Sequence, residues 1–141
     1  MNNINSLKRF LNIFGIISLI LFVGLFLLTA IDSPLMLDGG ALRFMRWEPL
    51  AKHIELMLET VYIVWGVFLL RAAKDPNRFA SFIDFTIWAN LAHGLLMVVQ
   101  TLLMPMFLYK LGTDVAYCLI LAIGLTLLRP KGLTESVRVS V

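Results

Sequence analysis

Apolar and polar positions alternate in long blocks along this chain, and the blocks have the lengths of membrane helices. From Phe10 to Ile31 only Asn12, Ser18 and Thr29 are clearly polar. At ~1.5 Å per residue, these roughly 22 residues cross the ~30 Å hydrocarbon core of a bilayer. Pro34, Gly39, Gly40 and mixed charges then break the pattern, which predicts an outer loop over about 32–48. Within it, Phe44, Met45 and Trp47 beside Arg43 and Arg46 suit the headgroup layer and predict a short interfacial helix. A second helix is expected over about 49–70, with Pro49 in its first turn. The basic connection around Asp75 and Pro76 forces an antiparallel neighbour over about 82–104, stopped by Pro105. A shorter fourth helix is predicted over about 113–128, followed by a polar tail expected to fray.

Two of these segments carry polar faces at helical spacing. Glu55, Glu59, Tyr62 and Gly66 follow one another at steps of four, three and four, and so share one side of the second helix. Thr86, Asn90, His93, Met97 and Gln100 form the matching stripe on the third. Asp84 lies off that stripe and reads as an interfacial acid neutralised by Arg71, Lys74 or Arg78. Counted from Leu70 and Phe82, Glu59 and His93 lie equally deep, about 16 Å into their helices. An ionisable group near the bilayer centre costs at least ~2–3 kcal/mol, so it faces protein and has a partner. The pattern therefore predicts that Glu59 and His93 meet, share a proton, and line a small polar site with Tyr62, Asn90, Glu55 and Gln100.

Composition agrees with a membrane setting. The chain has 141 residues, 60% of them hydrophobic, enough for one transmembrane domain spanning 1–141. The fold class expected is all-α, an integral membrane four-helix bundle with antiparallel up-down topology. A basic start followed by an apolar run imitates a signal peptide, but the run exceeds the usual 7–15 residues and predicts an uncleaved helix. The net charge of +3 comes from residues flanking apolar runs rather than from one basic face, which argues against nucleic acid. Lys8, Arg9, Arg71, Lys74, Arg78, Arg129, Lys131 and Arg138 fall on one side of the expected topology, and Arg43, Arg46, Lys52 and Lys110 on the other. This bias predicts that both termini lie in the cytoplasm.

The chemistry legible in the residues is sparse. The single cysteine, Cys118, excludes an intrachain disulfide and a multi-cysteine metal site. Neither an HExxH nor paired ExxH motifs occur, which disfavours a metal at Glu55, Glu59 and His93. Phosphate-binding glycine loops and nucleophile triads are not recognisable, so the chain reads as a binding or accessory protein more than as an enzyme.

The segments around Glu59, Tyr62 and Gly66, the turn ending in Asp75 and Pro76, and the His93–Gly94 step resemble small bacterial four-helix membrane families of unknown function. More distantly they resemble the DoxX-like group. That resemblance covers about a third of the chain and implies a fold and a membrane setting, in a group associated with quinone-linked sulfur oxidation. Three functions remain open at this level. The Glu/His site binds a small hydrophobic or quinone-like ligand, or lipid, or supports a redox partner. Alternatively, a homo-oligomer forms a proton-coupled transporter. In the third reading, the chain is a structural subunit of a larger membrane complex.

Overall fold

The computed structural model describes residues 3–46, 52–130 and 133, and every regular element among them is helical. Helix α1 covers Asn3–Ala30, α2 Lys52–Lys74, α3 Ala80–Leu103 and α4 Asp114–Leu128. Three of them, α1, α2 and α3, are long and apolar enough to cross a membrane. Helix α4 has 15 residues, ~22 Å at the helical rise. It is preceded by a 3-10 helix, Pro105–Gly112, and the two together pass as one span bent by 41°.

The boundaries differ from those expected in instructive ways. α1 begins at Asn3, seven residues before Phe10, because Lys8 and Arg9 are good helix formers that leave its first turns intact. α2 runs on to Lys74 rather than stopping near Leu70. The added Arg71-Ala72-Ala73-Lys74 turn has high helix propensity, and its two cations lie at the negative end of the helix dipole. Pro76 then disfavours helix at Asp75. In the connection between α1 and α2 the expected short helical turn falls at a 3-10 helix, Arg43–Met45, preceded by another at Pro34–Met36. The expectations at Trp47 and Pro49, and those for the tail, lie outside the described residues.

The chain divides into two compact units, Gly15–Phe68 and Met1–Phe14 with Leu69–Val141. The first is a hairpin of α1 and α2. Three contacts mark its antiparallel register: a methyl at Gly66 would lie 3.1 Å from Ser18 Cβ, Tyr62 stacks on Phe22, and Glu59 bonds to Thr29. Gly66 thus allows the close approach that small residues give helix pairs in membranes. At the loop end, Lys52 Nζ donates to the Ala30 carbonyl at 3.1 Å and pairs with Asp32 at 2.6 Å. A cation there complements the negative end of α1.

The second unit is built on α3 and α4. Arg129, just beyond the end of α4, pairs with Asp84 near the start of α3, so the two helices run antiparallel. Ile83, Ile87, Met97, Val115, Cys118, Leu121 and Leu125 are buried between and around them. A methyl at Gly124 would overlap the Phe10 ring, which in turn packs on Phe14 at 4.6 Å between centroids. Outward faces are apolar in both units: Ile13, Ile20, Leu27, Val61, Val64, Trp88, Leu96 and Leu103 are all exposed. Each such side chain left in water forgoes roughly 1.5–3 kcal/mol, and hydrocarbon removes that cost.

Candidate functional site

The polar face of α2 holds the candidate site, and its residues are placed by the α1/α2 hairpin. Glu59 is buried, 8% exposed, and its Oε1 accepts a hydrogen bond of 3.2 Å from the Thr29 hydroxyl. One turn earlier Glu55 pairs with Arg46, whose Nε and Nη2 each lie 2.8 Å from Glu55 Oε2. Arg46 reaches inward because the preceding 3-10 turn folds the loop back: Arg43 is held by Asp38 at 2.9 Å and donates to the Arg46 carbonyl at 3.4 Å. Both members of the Arg46–Glu55 pair are largely shielded, with side-chain exposures of 5% and 14%. Tyr62 stacks on Phe22, centroids 4.5 Å apart and planes 12° from parallel, and on Trp65 at 6.1 Å.

Two carboxylate oxygens in this group, Glu55 Oε1 and Glu59 Oε2, are buried without a hydrogen-bond partner among the described residues. Buried acceptors left unmade cost about 1–3 kcal/mol each, and more for a charged group. The arrangement is therefore short of donors. Among the described residues, no three His, Cys, Asp or Glu side chains converge as metal ligands would.

Of the six residues the sequence pointed to, Glu55, Glu59 and Tyr62 come together here. Asn90, His93 and Gln100 belong to the other unit. There Asn90 is buried and donates to the Thr86 carbonyl of its own helix at 2.9 Å, His93 is exposed, and Gln100 is half-buried. Where the sequence led to His93 as the partner of Glu59, the hydrogen bond that holds the carboxylate comes from Thr29. Asp84 also has a different partner from those expected. It pairs with Arg129, whose Nη2 lies 3.1 Å from Oδ2, because antiparallel packing brings the end of α4 to the start of α3.

Thr29 and Arg46 are the residues sequence reasoning missed. A signal for Thr29 existed, since it is one of three clearly polar positions in an otherwise apolar first helix. Arg46, flanked by Met45 and Trp47, reads as a headgroup anchor and gives no hint that it turns inward. All of these residues lie within the region matched by one family model. The chain belongs to DUF6632, a family of unknown function whose model matches residues 11–140. No curated protein and no solved structure matches the chain.

Proposed function

We propose that this protein is a four-span protein of a bacterial cytoplasmic membrane, with both termini inside, that binds a small hydrophobic ligand at the Glu59 group of the α1/α2 hairpin. The observation that carries the reading is Glu59 Oε2, a buried acceptor with no partner among the described residues, beside a ladder of aromatic rings. A structural hydrogen bond alone would not need a carboxylate, since a threonine or asparagine serves at lower desolvation cost. The ligand presents hydrogen-bond donors to Glu59 and lays its apolar body along Phe22, Tyr62 and Trp65. A quinone-like molecule meets this requirement in its reduced, hydroxyl-bearing form. The distant DoxX-like resemblance fits such a redox setting, and the bias of Lys and Arg supports the orientation.

The test is retention. Protein purified in mild detergent is extracted and analysed by mass spectrometry for quinones and other small lipophiles, beside Glu59→Gln of equal thermal stability. A stoichiometric small lipophile in the wild type, lost from the variant, is the expected result. Equal retention by both proteins would sink the site. Reporter fusions at Asn77 and Gly39 should mark the inside and the outside respectively.

A further inference from the structure

We propose that the head group taken by the Glu59 site is a cation, that of a lipophilic primary or secondary ammonium compound; this deepens the ligand-binding reading and rests on it. Charge is the first argument. Glu55 and Glu59 sit one turn apart on α2, and the group holds one guanidinium, Arg46, against their two carboxyls. The Lys52–Asp32 pair at the end of the hairpin is neutral in sum. With both carboxyls ionised, the described residues therefore leave one negative charge in a site shielded from water. An isolated charge in such a place is expensive, and a counter-charge removes the penalty where a neutral alcohol does not.

Hydrogen bonding is the second argument, independent of charge. Glu55 Oε1 and Glu59 Oε2 are both acceptors, both buried, and both lack partners among the described residues. A primary ammonium carries three donors and no acceptor. Its donors match unpaired acceptors of this kind, whereas an oxidised quinone offers only more acceptors. The surroundings are the third argument. Tyr62 follows Glu59 by three residues, on the same side of α2, and stacks with Phe22 and Trp65. Ring faces attract a cation and accept the apolar body attached to it. The site thus offers what an amphipathic amine needs at both ends.

The probes are 1-naphthylmethylamine and 1-naphthylmethanol, which share a ring system and differ in the head. Binding of each to the detergent-solubilised full chain is measured by equilibrium dialysis at neutral pH. Wild type is expected to prefer the amine by at least about tenfold. Glu59→Gln and Glu55→Gln each remove one negative charge, and each should bring the ratio close to one. Using both keeps the test open should either variant fail to fold, as read by circular dichroism. A wild-type ratio near one, a ratio unchanged in the folded variants, or no binding of either probe overturns the cation proposal. Equal binding of both probes that Glu59→Gln weakens alike would overturn the cation and leave the Glu59 site standing. Loss of the site itself is read separately, from the retention experiment.

Discussion

The two compact units bury opposite kinds of side chain. In Gly15–Phe68, the buried residues other than Gly15 and Gly66 are Ser18, Thr29, Ser33, Arg46 and Glu59, with Met36 the one large apolar member among the described residues. In the other unit they are mainly Leu7, Leu11, Leu69, Ile83, Ile87, Leu121 and Leu125, with Thr86, Asn90, Thr101 and Lys110 as the polar minority. Both units expose apolar faces, so the difference is not one of solvent. It lies in what holds each together. Hydrocarbon outside is as apolar as leucine inside, which leaves close packing and interhelical polar contacts as the available forces. The α1/α2 hairpin relies on the second, and the α3/α4 pair on the first.

Substitutions can break or sharpen that contrast. The largest effect is expected from Arg46→Ala, which strands Glu55 and Glu59 without their guanidinium and should cost about 3–5 kcal/mol, the usual result of removing one partner of a buried pair. Denaturant titration in detergent measures it. A loss below about 1 kcal/mol would show that the hairpin does not depend on its ion pair. Next comes Gly124→Leu in the packed unit. Its side chain would collide with Phe10, and overpacking of this kind costs about 1–3 kcal/mol. If it proved harmless, the claim that packing holds this unit would fail.

Thr29→Val follows at about 1–2 kcal/mol, because it leaves Glu59 Oε1 buried without its donor. The same substitution should leave Gly124→Leu unaltered in effect, since sites without shared partners add within a few tenths of a kcal/mol. The smallest change is expected from Asp84→Asn. Its side chain is 33% exposed and that of Arg129 22%, and partly solvated pairs contribute about 0–1 kcal/mol. A melting temperature lowered as far as by Arg46→Ala would place Asp84 among the residues that hold the fold.

How much of this was legible in the sequence depended on whether the signal was local. The long apolar runs announced α1, α2 and α3, and the steps between Glu55, Glu59, Tyr62 and Gly66 gave their shared face. The partner of Glu59 was not local. Depth was counted from Leu70, but α2 continues to Lys74, and Glu59 sits only seven residues from Lys52, about 10 Å along the axis. That places it beside the end of α1, where Thr29 is, rather than at mid-helix. The Asp84–Arg129 pair joins residues 45 positions apart. No spacing rule reaches that far, and the nearby cations of the basic connection were the natural but wrong inference. α4 was the least legible element, because its short apolar run gives no sign of the bent 3-10 segment before it.

The Thr29–Glu59 bond also has a meaning in time. Thr29 precedes Glu59 by 30 residues, which at roughly 5–20 residues per second is roughly 1.5 to 6 seconds of synthesis. The hydroxyl is thus already in place when the carboxyl leaves the ribosome. An acid entering lipid alone faces an insertion cost of about 2.5–3.5 kcal/mol. Emerging second, against a helix that already offers a donor, Glu59 inserts as half of a hairpin. The order in which the two helices are made is therefore part of what allows a carboxylate to reside there.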